Sequence, residues 1–596
     1  MLVRNPADLV KPLTLFFEKV LPAKGRKEGS ASGGGDPETD APSAPTRRLS
    51  RERAGNASGR RRRLAPERGA ALLAVLGGLL LGGFALWLYV RTLAPTVLYY
   101  DPAGMYDSLM LQVKAAVLGI PNPTGYPTYI MLAHLFTYLP VEGGVAYRVN
   151  LASAVFGALA VAGVFAVCRL LTGRLAPAAA GALLFALGPA FWSQAVITEV
   201  YTLNVLFIVA DLTVLLLWRR TRRDRYLLLF AFLMGLTMTH HMTSGLVLPA
   251  AALFVALTDW RKLTEWRLLL KGAGLFLLGL LPYAYLPVRA AMDPPLNEWD
   301  PSTPERFFAL VTGRGFESRM FAFPWEEVPD RLALYASLLG SQFNPLFLIV
   351  AAVGALYLSY RRDLAALGML LSLYLGWLVY ALGYNIRDVW VYFIPTYLVV
   401  AIFAASGFGA ALDVVARAGR AVPEVLRLRG AGAAIGGGLS AVAVAALSVL
   451  MVYLPFSGFR ETYEQVDMSE NYHGLHVINA VAENAAKDAT VLQNNGVLFY
   501  LQYVSGDRPD LKVVDPFPAG GWQSESPVWV EAARESLHEG RRTYILFPGG
   551  TAEENESLFF AAGYALVPDE SGLFYEVTDA EHDPALQKLI NVHRTL

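Results

Sequence analysis

The chain has little charge for its size and a single cysteine. Charged residues are 17% of its 596 residues, 50 basic and 50 acidic, for a formal net charge of zero. A soluble protein is typically about a quarter charged, and mean hydropathy here is +0.39, which excludes an ordinary cytosolic enzyme and a disordered chain. The even balance of charge argues against a nucleic-acid partner. With only Cys168 there is no intrachain disulfide and no Cys-based zinc site. The N-terminal residues lack the apolar core and small-residue cleavage site of a signal peptide. No internal repeat is evident. PGGTAEENE (548–556) lacks the Lys-Ser/Thr of a phosphate-binding loop.

What the sequence has is apolar runs of membrane-spanning length. Residues 1–69 read as a cytoplasmic tail. Within it, Leu9 to Val20 suits a short amphipathic helix, a Gly/Ser/Pro-rich linker follows, and nine arginines crowd between Arg47 and Arg68. Eleven spans are expected between 70 and 455, at about 70–90, 149–171, 176–196, 201–218, 226–243, 245–258, 268–287, 344–360, 364–384, 389–411 and 431–455. Basic residues stay cytoplasmic, so the first span runs outward. Every short Arg-rich loop, such as RRTRRDR (219–225) and RRD (361–363), then falls inside. The expected fold class is a mainly α, polytopic membrane protein with extracytoplasmic loops 92–147 and 288–343. Residues 456–596 alternate helical and strand-like runs, which predicts a small extracytoplasmic α/β domain. The long loop 288–343, with eight acidic and five basic residues and many prolines and aromatics, suits a structured cap.

Ionisable groups near a membrane are costly unless used, and by this topology several collect on the outer side. Asp101 and Asp107 follow span one, Glu199 sits between spans three and four, His240 and His241 end span five, and Asn385, Arg387 and Asp388 join spans nine and ten. Each also has a bland explanation. Asp101-Pro102 is an ideal helix start. Asp107 fits a solvated helix face, Glu199 a polar turn, and Arg387–Asp388 an interfacial ion pair. Adjacent histidines point about 100° apart on a helix, so one suits the cavity and the other a structural hydrogen bond, and the pair does not suit a metal. Asp211 and Lys271 fall inside spans as a candidate intramembrane pair. After span one, Pro102–Gly119 and Thr128–Leu139 read as two helices broken by IPNPTGYP, placed to roof a cavity.

At these residues the sequence resembles a family of polytopic membrane proteins labelled as a domain of unknown function. That family is related to the animal transmembrane protein O-mannosyltransferase and belongs to the GT-C glycosyltransferase class. The matching segments are GIPNPTGYP (119–127), YRVNLASA (147–154), EVYTLN (199–204), GLTMTHHMT (235–243), LNEWDPSTPERFF (296–308), NIRDVWVYFIPTYL (385–398) and GDRPDLKVV (506–514). Asp107-Ser108 aligns with the family's Asp-Ser. Two positions depart from the pattern: Met110 replaces a Glu, and Asn122 replaces a His.

The resemblance implies inverting transfer of a sugar from a polyprenyl-phosphate-linked donor to an extracytoplasmic protein or glycan hydroxyl, in a membrane that composition suggests is bacterial. Asp107 is the expected general base, with Asp101 or Glu199 orienting sugar or acceptor. Arg387, or else Arg148 or Arg289, would meet the departing phosphate. His240, His241, Asn385, Asp388, Tyr126 and Tyr201 complete the expected substrate-binding set. No cofactor is evident; the class admits a divalent metal, but no ligand constellation stands out. Expected partners are the lipid-linked donor, the acceptor and membrane lipids. The rival readings are a transporter or flippase of lipid-linked sugars, against which the one-sided clustering and missing repeat weigh, and a catalytically inactive assembly protein, which the loss of the family Glu keeps open.

Overall fold

The computed structural model describes residue 69 and residues 71–99, 107–425, 431–494, 496–516, 527–547 and 552–579. The Arg-rich tail, Asp101 and residues 548–551 lie outside this set. Among the described residues, eight helices are long and apolar enough to cross a membrane, and ten if two bent pairs each count as one span. This is an integral membrane protein, mainly helical, with a small C-terminal sheet.

All eleven expected segments coincide with apolar helices, but the count by length is eight to ten. One of the eleven is broken, where Leu175–Ala186 meets Pro189–Ala195 at 68°; another, Pro345–Tyr360, meets at 103° the helix Trp325–Gln342, which falls in the expected loop 288–343. The expected fifth span is the helix Arg225–Met238, of 14 residues. At 1.5 Å per residue it reaches about 21 Å, short of a hydrocarbon core of about 30 Å. Hydropathy registers neither the bends nor this shortfall.

Close packing holds the helices together. Pro345–Tyr360 crosses the Val389–Gly419 span where Gly354 lies against the Phe403 carbonyl and Gly407 against the Val350 carbonyl. A Cβ at either position would overlap backbone, so the two chains approach as only glycine allows. At one end of the bundle, ion pairs join neighbouring helix ends: Arg174 with Asp413, and Arg219 with Asp363. The polar groups of interest gather at the other end. The candidate pair of Asp211 and Lys271, on whose meeting the sequence is silent, does not form. Asp211 is buried and accepts from Thr237 Oγ1 at 3.2 Å, whereas Lys271 is exposed on the Trp266–Gly279 helix. The two helices carrying them present these faces in different directions, which spacing along the chain does not encode.

The segment after the first span forms helices Asp107–Val117 and Pro127–Phe136. Between them Gly125 (φ +91°) and Tyr126 (φ +38°) turn the chain in the left-handed region. The 288–343 segment is ordered as a cap. Arg289 donates to the Val117 and Leu118 carbonyls at 3.2 and 2.9 Å, Ile120 bridges Asn297, and buried Lys114 pairs with Glu298.

The C-terminal lobe carries a five-stranded sheet of β1 (Thr490–Gln493), β2 (Lys512–Val514), β3 (Thr543–Leu546), β4 (Tyr564–Pro568) and β5 (Tyr575–Asp579), in the order β2-β1-β3-β5-β4. β2, β1 and β3 are parallel, as an alternating βα pattern requires. β5 is antiparallel to β3 and β4. β4 was not foreseen, and the last strand starts two residues later than Leu573. The lobe is docked on the membrane domain: Tyr99 donates to the Phe547 carbonyl at 3.0 Å, and the Ala146 amide donates to the Tyr500 hydroxyl at 3.2 Å.

Candidate active site

Four segments distant in sequence converge on one cavity of 670 Å³. It lies at the Tyr201 end of the Tyr201–Thr221 helix, opposite the Arg219 end. Asp107 enters from the first turn of its helix, Glu199 from the turn before Tyr201, His241 from the break before Met242, and Arg387 and Asp388 from the turn after Gly383.

A polar network, buried around Asn150, positions Asp107 and Glu199. Asn150 accepts from Gln112 Nε2 at 2.7 Å and from Thr198 Oγ1 at 2.6 Å, and donates to the Ala94 carbonyl at 2.9 Å. One side chain thereby ties the end of span one, the Asp107 helix and the 196–200 turn together. Ser108 donates to Glu199 Oε1 at 2.9 Å, and the Glu199 amide donates to Ser153 Oγ at 3.1 Å. Asn122 Nδ2 donates to both oxygens of Asp107 at 3.2 Å.

This crowding of acids in a protein-walled space raises their affinity for protons. Asp107 is exposed to the open cavity, and the protein enclosing it still pushes its carboxyl up, against the pull of Lys114 and the Asn122 bond. Burial, then Asp107, then Asp388 push Glu199 well above the usual carboxylate range. Burial and Asp107 raise Asp388 to about 6. Burial lowers His241 to about 4; burial and the neighbouring His241 lower His240 to about 3, so both rings are neutral at neutral pH.

The histidines divide although neither is helical: the helix ends at Met238, and His241 is extended (φ −146°). His241 lines the cavity, bonded through Nδ1 to Thr243 Oγ1 at 2.6 Å, with its buried Nε2 unpartnered. Its ring lies among those of Tyr126, Tyr201 and Tyr392 at 5.7, 6.1 and 6.0 Å. His240 lies behind the wall and donates from Nε2 to the Val200 carbonyl at 2.9 Å. It therefore fixes the turn that carries Glu199 and does not line the cavity.

Three other expected substrate-binding residues are also elsewhere. Arg148 donates to the Thr137 and Gly143 carbonyls, and Arg289 caps the Asp107–Val117 helix, so both guanidinium groups satisfy backbone carbonyls. Asn385 is exposed, and its backbone amide donates to the Arg319 carbonyl at 2.8 Å. That bond brings in a cation which sequence reasoning missed. The helix Pro304–Thr312 starts at Thr303, whose side chain caps the Arg306 amide, and ends at Gly313 (φ +67°). The cap then folds over the cavity, and Arg319 joins Arg387 on its lining. Tyr384 and Tyr392, ring centroids 5.1 Å apart, add aromatic wall. Nothing in the local sequence singled out Arg319 from the other cap arginines. Met110, at the family Glu position, lies against Gly496 of the C-terminal lobe and not on the cavity lining. Among the described residues, no group of three or more His, Cys, Asp or Glu side chains is placed to hold a metal ion.

Residues 107–264 match the family model described as the protein O-mannosyl-transferase TMEM260 N-terminal domain. The mouse protein O-mannosyl-transferase TMEM260 is 32% identical over 213 residues, 35% of this chain and 30% of that protein. The Dictyostelium discoideum protein O-mannosyl-transferase tmem260 is 24% identical over 235 residues, 36% of this chain and 28% of that protein. The matches thus span less than a third of these relatives' length. Among solved structures, ArnT from Cupriavidus metallidurans in the apo state superposes with a TM-score of 0.53 at 14% identity, covering 85% of this chain and 98% of that one. The same protein bound to undecaprenyl phosphate superposes with a TM-score of 0.52, also at 14% identity and the same coverage. The chain therefore shares the fold of ArnT over most of its length and is similar to TMEM260-type protein O-mannosyl-transferases over the segment that opens with Asp107.

Proposed function

We propose that this chain is a membrane glycosyltransferase that moves a sugar from a polyprenyl-phosphate-linked donor to an acceptor hydroxyl on the extracytoplasmic side. The observation that carries the reading is the meeting of Asp107, Glu199 and Asp388 with Arg319 and Arg387 in one cavity. ArnT binds undecaprenyl phosphate, and the mouse relative is named a protein O-mannosyl-transferase. A polyprenyl-phosphate sugar and a hydroxyl-bearing protein or glycan are the donor and acceptor we assign.

In this mechanism Asp107 takes the proton of the acceptor hydroxyl as its oxygen bonds to the anomeric carbon. The bond from that carbon to the phosphate oxygen breaks, and the polyprenyl phosphate leaves with the electron pair. Attack from the face opposite the phosphate inverts the sugar. A carboxylate with a raised proton affinity is suited to this work near neutral pH. Asn122 holds both oxygens of Asp107 and so fixes its plane. Glu199 orients the sugar or acceptor. Arg387 and Arg319 neutralise charge building on the phosphate, and the tyrosine-rich wall offers its faces to the sugar ring. The N-terminus lies in the cytoplasm and the C-terminal lobe outside, beside the acceptor.

The test offers radiolabelled polyprenyl-phosphate sugars to the purified full chain in lipid, beside Asp107→Asn. The amide keeps the shape of Asp107 but removes the base, and a loss of about 10²–10⁴-fold in transfer is expected. Full-rate transfer by the variant refutes the assignment of Asp107. Absence of transfer with every donor, together with counterflow of label across vesicles, replaces the enzyme by a transporter.

A further inference from the structure

A second cavity, of 310 Å³, lies behind the wall of the first. The 196–201 and 388–392 segments divide the two. Val196, Ile197 and Trp390 face the second, whereas Glu199, Tyr201, Asp388 and Tyr392 face the first. The remaining sides come from the broken Pro189–Ala195 helix, the end of Val328–Gln342 and the Phe459–Val466 helix.

Its chemistry differs from that of the first cavity. Among the described residues, no charged side chain lines it. Its walls are largely apolar, and Ser193, Gln194, Ser341, Gln342 and Gln465 stand among them with the indole of Trp390. Several of these are held in place: Gln342 Oε1 accepts from the Ala190 amide at 2.9 Å, Gln342 Nε2 donates to Ser341 Oγ at 3.2 Å, and Gln194 Nε2 donates to Ser193 Oγ at 3.3 Å. A phosphate or carboxylate ligand would find no cation here. The Ser193 and Ser341 hydroxyls donate to the Ala190 and Leu338 carbonyls at 3.1 and 2.7 Å, and an acyl chain would use the apolar walls alone and leave the amide and hydroxyl groups without a ligand partner. A sugar ring answers both features. Its hydroxyls donate and accept, as amides and serines require, and its C–H face lies on an aromatic ring. The volume sits at the small end of ligand pockets, which run from about 300 to 1,000 Å³.

We infer that this cavity is a binding site for a neutral saccharide unit, separate from the site of transfer. Its role, holding a sugar of a glycan acceptor or product one peptide layer from the reacting groups, rests on the proposed glycosyltransferase reading; the binding itself does not.

Equilibrium binding of methyl α-mannoside and a neutral α-mannotriose to the full chain in lipid nanodiscs tests it, with mannose 6-phosphate as the charged control. Saturable binding of the neutral probes is expected for the wild type and for Asp107→Asn. Ser341→Trp and Ser193→Trp fill the cavity and weaken it by about tenfold or more, equivalent to about 1.4 kcal/mol. Gln465→Ala, at an exposed position, removes one hydrogen-bonding group without adding bulk and weakens binding in the same direction. Absence of saturable binding overturns the proposal. So does binding lost in Asp107→Asn but untouched by the three cavity variants, which places the sugar in the first cavity. Equal binding of mannose 6-phosphate overturns it as well. The transfer assay reads the first site separately, so failure of one does not mimic failure of the other.

Discussion

Asn150→Leu removes the junction on which the candidate site is built. The side chain is fully buried, and leucine is close to it in size, so the change tests hydrogen bonding more than packing. Its loss leaves Thr198 Oγ1 and the Ala94 carbonyl without their bonds to Asn150, and reduces Gln112 Nε2 to a long 3.5 Å contact with the Thr96 carbonyl. An orphaned buried polar group costs about 1–3 kcal/mol, so three cost about 3–6 kcal/mol after partial relaxation. At about 2–4 °C per kcal/mol for mid-sized domains, and less for larger ones, the unfolding temperature should fall by about 5 °C or more. The three tied segments carry Asp107 and Glu199, so sugar transfer at a permissive temperature should fall further than the fraction unfolded accounts for. Asn150→Asp keeps the two acceptor roles and loses the donor, and should be milder in stability. The assay is thermal unfolding of the full chain in lipid with transfer measured on the same samples. An Asn150→Leu protein with unchanged unfolding temperature and unchanged transfer would refute the argument that this network sets the site.

Three further outcomes are expected. Asp388 ionises at about 6, so transfer should rise with pH through that value, and Asp388→Asn should flatten the rise in a pH–rate profile. Because its folded-state affinity for the proton is raised, Asp388 favours folding when protonated, and that contribution is lost between about pH 4 and pH 6 as it ionises. Arg319→Ala should raise the KM for the donor with little effect on unfolding, whereas Arg289→Ala, which uncaps the Asp107–Val117 helix, should lower stability by about 1–2 kcal/mol; kinetics and thermal unfolding measured side by side separate the two. Gly354→Leu should abolish the close crossing with the Val389–Gly419 span and yield little folded protein, scored by size-exclusion recovery from detergent; normal recovery would remove the glycine argument.

The amino-acid order determined the elements and which polar groups share one end of the bundle. Apolar runs need only local composition to become helices in a solvent that leaves no other way to bond the backbone, so all eleven segments were legible. So were four strands and the placement of Asp107, Glu199, His241 and Asp388 at one end of the bundle. What sequence could not decide is what depends on several chains of contact at once. The bend of 103° before Pro345, the shortness of Arg225–Met238 and the antiparallel edge strand Tyr564–Pro568 come from packing. The site divides in the same way. Arg148 and Arg289 look like phosphate ligands by charge, but nearby carbonyls capture both. Arg319 lies 68 residues from Arg387 and comes beside the same cavity because the cap folds back and its carbonyl accepts the Asn385 amide. Charge is a property of one residue and can be read in order. Whether that charge is spent on a carbonyl or left facing a cavity is a property of the neighbours, and only the tertiary structure supplies them.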